Sequence, residues 1–279
     1  MPYQAEISRK NPSCLLFLID QSGSMSDPFG GGEPNKQKAD QVAVIMNRWL
    51  QNLVIKCAKS EGVRDFYYIG VIGYGNSVGP AFAGSLAEHD LVPISQIADS
   101  PMRIEERKKK VDDGAGGLVE QSFKFPIWFD SVANGGTPMC QALSKAKKIV
   151  QDWLSKHPSC FPPIVINITD GEATDGNPSE AANEIRELSN ADGNVLLFNV
   201  HLSSTQADPI EFPDSDSSLP DDFARLLFNM SSILPPHIQN AAKEYENKIT
   251  EASRGFAFHA DGVSLIKFLD IGTRPSNLR

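Results

Sequence analysis

The stretch Cys14-Leu15-Leu16-Phe17-Leu18-Ile19-Asp20-Gln21-Ser22-Gly23-Ser24 (CLLFLIDQSGS) decides how the chain is read. Six apolar residues in a row, 14–19, make a short continuous run without helical periodicity. Such a run reads as a strand covered on both faces, and strands of that kind belong to parallel sheets flanked by helices. The run stops at a carboxylate, Asp20, with hydroxyls two and four residues on. In an extended segment that spacing puts alternate side chains on one side. Three hard oxygen donors therefore leave the end of a buried strand together.

Similar runs recur at 66–74 (FYYIGVIGY), 163–169 (PIVINIT), 194–200 (NVLLFNV) and, more weakly, 255–260 (GFAFHA). Helical patterns fall between them. From Lys36 to Lys59 the set Val42, Ile45, Met46, Trp49, Leu50, Leu53, Val54 and Cys57 follows the i, i+3, i+4 rule, and a second set runs from Met139 to Leu154. A shorter helix is expected to start at Asn177-Pro178, another to carry Ile238, Ala241, Ala242, Tyr245 and Ile249, and Ser264 to cap a last one. Strand alternating with helix predicts an α/β fold, a Rossmann-like, doubly wound, mostly parallel sheet. Two stretches interrupt the alternation. Residues 75–136, with the charged run Glu105–Lys110 and the glycine cluster Gly114–Gly117, read as one short strand or hairpin plus an exposed excursion. Residues 203–222, polar and proline-rich, read as a surface loop. The expectation is one domain over 1–279 with insertions at about 100–134 and 203–222.

Composition removes several function classes. The chain has 26 Lys+Arg against 35 Asp+Glu, a net charge of −9, with 41% hydrophobic residues. That is a globular composition without the basic face that a sequence-independent nucleic-acid binder or an acidic membrane surface requires. The N-terminal MPYQAEISRKNPS lacks an apolar h-region, and no apolar run spans a bilayer. Cys14, Cys57, Cys140 and Cys160 form no CxxC pair, which argues against zinc and a disulfide framework. A cytoplasmic protein is expected. No GxxxxGK[ST] loop or G-x-S-x-G elbow occurs, and the five histidines show no paired spacing. Asp214-Ser215-Asp216 fails as a calcium loop, because its sixth position is Leu219 and its twelfth Arg225.

Two further clusters lie where strands meet helices. Gly135-Gly136-Thr137-Pro138 precedes the second helix, with Thr137 at the N-cap position and Pro138 at the first helical residue. Thr169-Asp170-Gly171-Glu172 puts another carboxylate at the end of a buried strand. Ligands of open α/β sheets bind outside the carboxyl ends of the strands, at the switch point. Asp20, Ser22, Ser24, Thr137 and Asp170 are thus expected to converge there. Two carboxylates and three hydroxyls suit Mg²⁺, with Mn²⁺ or Ca²⁺ as alternatives. Glu172 and Asp175 read as solvated acids on the same rim, and Asp27 as facing water.

In these motifs the sequence resembles the von Willebrand factor A (vWA) domain family, whose metal-ion-dependent adhesion site is D-x-S-x-S, then T, then D. DQSGS at 20–24, Thr137 and Asp170 match in type and order, and the resemblance covers about residues 12–270. It implies a vWA fold in which Ser22, Ser24 and Thr137 are hydroxyl ligands, and Asp20 and Asp170 direct or water-mediated carboxylate ligands. It also implies an open coordination place that takes an Asp or Glu from a protein partner. By resemblance to stand-alone intracellular bacterial members, the partner is a kinase, phosphatase, AAA+ ATPase or effector, and the chain a non-catalytic adaptor. The alternative from another class is a metal-assisted hydrolase or phosphatase using the same residues, with Asp20 as nucleophile or the ion as Lewis acid.

Overall fold

In the computed structural model, which describes residues 2–30, 36–112, 117–204, 208–246 and 248–274, the opening run forms strand β1 (Ser13–Asp20), buried at every residue. Its side chains alternate between two cores. Leu15, Phe17 and Ile19 pack with helices α1 (Lys38–Cys57), α6 (Pro236–Lys243) and α7 (Gly262–Gly272). Leu16 and Leu18 pack with α3 (Met139–Lys156), α4 (Ser179–Glu187) and α5 (Asp222–Met230). Each large apolar side chain taken fully out of water contributes about 1.5–3 kcal/mol, and a strand so placed is held from both sides.

The strands following β1 are β4 (Tyr67–Tyr74), β5 (Val78–Pro80), β6 (Val92–Pro93), β9 (Ile164–Thr169), β12 (Leu196–Leu202), β13 (Ile210–Glu211) and β14 (Phe256–Ala260). With β1 they form one sheet of order β13-β14-β12-β9-β1-β4-β5, and β6 also pairs β4. Pairings among β14, β12, β9, β1 and β4 are parallel, while β5, β6 and β13 add antiparallel edges. The α/β class with a mostly parallel sheet flanked by helices is therefore what the chain adopts. Two short hairpins, β2 (Ala58–Lys59) with β3 (Gly62–Val63) and β10 (Ser189–Asn190) with β11 (Gly193–Asn194), sit apart from it.

The interruptions hold more structure than the expected short strand or hairpin with an excursion, and the expected loop. Helix α2 (Ile94–Asp99) leads into a two-stranded ribbon, β7 (Arg103–Asp112) and β8 (Leu118–Ile127), paired antiparallel over ten residue pairs. Ribbon residues alternate between two open faces, so both can be polar, which hides the strands from a search for apolar runs. Its base is anchored by buried Phe125 and Trp128, with Arg107 3.8 Å over the Phe125 ring. Gly114, Ala115 and Gly116 of the glycine cluster lie outside the described residues. In 203–222, Ile210 and Glu211 form the edge strand β13, and Phe212 and Leu219 are buried.

Helix ends depart from expectation, and one further helix, α5, falls where none is expected. The last helix is capped by Asp261, whose Oδ1 accepts from Ser264 N–H at 2.8 Å, so Ser264 lies inside its first turn. Helix α6 stops at Lys243, short of Tyr245 and Ile249. Helix α5 begins in an acidic, proline-containing segment, where Asp221 Oδ1 accepts from Ala224 N–H at 2.7 Å. Asp221→Ala should cost about 1 kcal/mol, measurable as a lower urea midpoint with unchanged slope.

Candidate functional site

Strand order reverses between β1 and β9, because the chain leaves β1 for β4 on one side and returns to β9 on the other. Loops diverge at such a point and leave a crevice outside the carboxyl ends. Asp20 ends β1, and Asp170 is the first residue after β9. Their register pairs Ile19 with Ile168, so Asp20 lies level with Thr169. The Thr169 hydroxyl donates to Asp20 Oδ2 at 2.7 Å, and Ser22 N–H donates to Asp20 Oδ1 at 2.8 Å.

A chain of side chains continues from there. Ser22 Oγ and Ser24 Oγ lie 3.0 Å apart, and Ser24 Oγ donates to Asp170 Oδ1 at 2.8 Å. The other Asp170 oxygen, Oδ2, accepts from Lys38 Nζ at 2.5 Å. Lys38 Nζ also donates to Ser204 Oγ at 2.6 Å and lies 3.9 Å from Asp27. Asp20, Ser22 and Lys38 are buried, whereas Ser24 is exposed, so the chain opens to solvent at that serine.

Thr137 reaches the same place through backbone contacts. Gly23 N–H donates to Gly135 O at 3.0 Å, and Asn134 N–H to Gln21 O at 2.6 Å, which ties its loop to the first motif. On the other flank Thr137 N–H donates to Thr174 Oγ1 at 2.9 Å, and Thr174 N–H to Thr137 O at 3.0 Å. These approaches need glycine. A Cβ on Gly135, whose φ is +92°, would lie 2.5 Å from Asn76 N, and one on Gly75 would lie 2.6 Å from both Asn134 O and Gln21 O. Among the described residues the Thr137 hydroxyl does not join the Asp20–Asp170 chain. Nor does it cap α3. Asp175 takes that role, its carboxylate accepting from Cys140 N–H at 3.1 Å and Gln141 N–H at 3.0 Å. Asp175 is therefore a helix cap and not a solvated acid, while Asp27 is largely exposed, as expected.

The donors gathered here are all oxygens. Among the described residues no three of His, Cys, Asp and Glu cluster, so any cation site must draw on hydroxyls, and Asp20, Ser22, Ser24 and Asp170 supply a hard-ligand set of that kind. Lys38 already brings a positive charge against Asp170, as a buried carboxylate requires. Sequence reading missed Lys38, because a lysine in a helix's first turn reads as solvated. Its signal was its spacing, since it stands four residues before Val42 on the buried stripe.

Burial pushes the Asp20 carboxyl above its ordinary value of 3.8; hydrogen bonds from Ser22 and Thr169 offset part of the rise, and the charge of Asp170 adds to it. The folded protein thus holds this proton more tightly than the unfolded chain. Cation-free stability then falls as pH rises from 3.8 through the raised value. A bound cation favours the carboxylate and competes with the proton. Were Mg²⁺ bound through Asp20, any rise in Tm it gave would therefore shrink between about pH 7 and about pH 4. A rise that stays constant over that range would contradict the assignment of Asp20 as a ligand.

No family model matches the chain, and no curated protein matches it. Among solved structures it is similar to the vWF domain of the type V pili tip protein Mfa5 from Porphyromonas gingivalis, at 16% identity over 58% of this chain and 39% of that one, TM-score 0.31. It is also similar to the pilus adhesin RrgA from Streptococcus pneumoniae, at 16% identity over 61% of this chain and 22% of that one, TM-score 0.32. A third is the adhesive tip pilin GBS104 from Group B Streptococcus agalactiae, at 12% identity over 58% and 46%, TM-score 0.31. The chain spans less than half the length of each. The functional reading rests on the residues of the crevice.

Proposed function

We propose that this chain is a vWA-like protein-docking module that holds Mg²⁺, or Mn²⁺ or Ca²⁺ in its place, through Asp20, Ser22, Ser24, Thr137 and Asp170. The bound ion supplies a Lewis-acidic position for an Asp or Glu of a protein partner. The partner is a kinase, phosphatase, AAA+ ATPase or effector of a bacterial multi-protein system, with this chain as its non-catalytic adaptor. The observation that carries the reading is the Ser22–Ser24–Asp170 chain beside Asp20 at the switch point, open to solvent at Ser24. Asp20 is buried with both oxygens accepting hydrogen bonds, a setting that favours holding an ion over attacking a substrate. His201 is stacked on Phe258, and burial lowers its pKa to about 4, which leaves it a weak general base. Four unpaired thiols support a cytoplasmic setting.

Pull-down with the wild-type chain and with Asp20→Ala, each with Mg²⁺ and with EDTA, tests the proposal. Capture that needs Mg²⁺ and disappears in the variant is expected. Mg²⁺-dependent capture that survives Asp20→Ala would sink it. A phosphatase screen with Mg²⁺ and Mn²⁺ is expected to give no turnover sensitive to Asp20→Asn and Asp170→Asn.

A further inference from the structure

Lys38 opens α1, where the helix's free amides already present positive partial charge. An ammonium is disfavoured there unless a carboxylate answers it. The side chain does not reach out to water, being 2% exposed against 0% for Asp170. An apolar residue at 38 would extend the stripe through Val42, Met46 and Leu50 without the desolvation that a buried ion pair incurs. The pair also divides Asp170. Oδ2 is held by the ammonium, and Oδ1 accepts from the exposed Ser24. Ser204, at the start of the 203–222 segment, fixes the ammonium from behind.

We propose that Lys38 is a resident cation of the Asp20–Asp170 crevice: it orients Asp170 and sets the affinity for a divalent ion below what the oxygen donors alone would give. The inference rests on the reading of those donors as a Mg²⁺ site. Asp20, Asp170 and the ammonium together carry −1 before loading and +1 after, with the largely exposed Asp27, 3.9 Å from the ammonium, left out of the sum. Without the ammonium the values are −2 and 0. A divalent ion entering the wild-type crevice is therefore attracted less. Removing one unit charge a few ångströms from an ion, at an effective dielectric near 20, changes affinity by at least about tenfold.

Titration calorimetry with Mg²⁺ on the whole chain tests this, comparing wild type, Lys38→Gln and Lys38→Arg. Gln keeps a donor for Asp170 and Ser204 but drops the charge, while Arg keeps the charge. The expected result is that Lys38→Gln binds Mg²⁺ about tenfold tighter or more, and that Lys38→Arg stays near wild type. A residue that merely supported the fold would weaken binding when replaced. Wild type binding while Lys38→Gln binds equally or more weakly would overturn the inference and leave the site reading standing. Neither chain binding would overturn both. Binding by Lys38→Gln alone would support the resident cation and overturn Mg²⁺ loading of the wild type. Should Lys38→Gln be unfolded by circular dichroism, refolding with Mg²⁺ but not with K⁺ at equal charge would support the replacement of one cation by another; no refolding would overturn it.

Discussion

Asp20→Asn is expected to remove the stabilisation that Mg²⁺, held as proposed, would give the native chain. An ion present at a hundred times its Kd adds about 2.7 kcal/mol, since it binds the native state and not the unfolded one. For a chain of this size that raises Tm by roughly 5–8 °C. The asparagine keeps the shape and an oxygen for Ser22 N–H, and its amide can face the Thr169 hydroxyl, so the β1–β9 junction keeps its hydrogen bonds. What it lacks is the charge. The cation-free variant should be as stable as wild type or slightly more so, because burial opposes the ionised carboxyl in the absence of an ion. The two effects have opposite signs and separate loss of a ligand from damage to the fold. Thermal unfolding with and without Mg²⁺ measures both; a Tm gain in Asp20→Asn equal to that of wild type would remove Asp20 from the site.

The second large effect concerns the sheet beneath the crevice. Asn167 of β9 is fully buried, accepts from Tyr74 OH at 2.6 Å and donates to Asn199 Oδ1 at 3.0 Å. Asn199 in turn donates to Ser231 Oγ at 2.9 Å. These bonds tie β4, β9 and β12 on the α3 side, and their groups are inaccessible to water. Asn167→Leu has similar volume but removes the short acceptor of the Tyr74 hydroxyl, which keeps a long contact to Ile168 O at 3.4 Å and the neighbouring Thr169 side chain, and strips Asn199 Oδ1 of its donor. Unsatisfied buried polar groups cost about 1–3 kcal/mol each, so the variant should lose about 3 kcal/mol. Urea denaturation checks the value. A loss well below 1 kcal/mol would show that the network contributes little.

What was legible in the sequence divides along physical lines. Asp20, Ser22, Ser24 and Asp170 were readable because a strand buried on both faces is a continuous apolar run, and whatever follows it stands at a sheet end. Thr137 was readable as a position, although the backbones of Asn134 and Gly135 do the joining and Asp175 does the capping. Lys38 was hidden because charge alone says nothing of burial; only its partner, 132 residues away, reveals it. The β7–β8 ribbon was legible only as one short strand or hairpin without bounds, because strands with two largely open faces carry little apolar signature, and β13 was hidden because its two residues are too few to stand out from polar, proline-rich surroundings.

The central claim is that the crevice between β1 and β9 holds a divalent ion, and Mn²⁺, which scatters anomalously, tests it most directly. Anomalous diffraction from crystals grown with Mn²⁺ is expected to place one ion within bonding distance of Ser22 Oγ and Ser24 Oγ, with Asp20 and Asp170 bound directly or through water. No anomalous peak at this crevice in crystals saturated with Mn²⁺, or a peak bound only by other residues, would contradict the account.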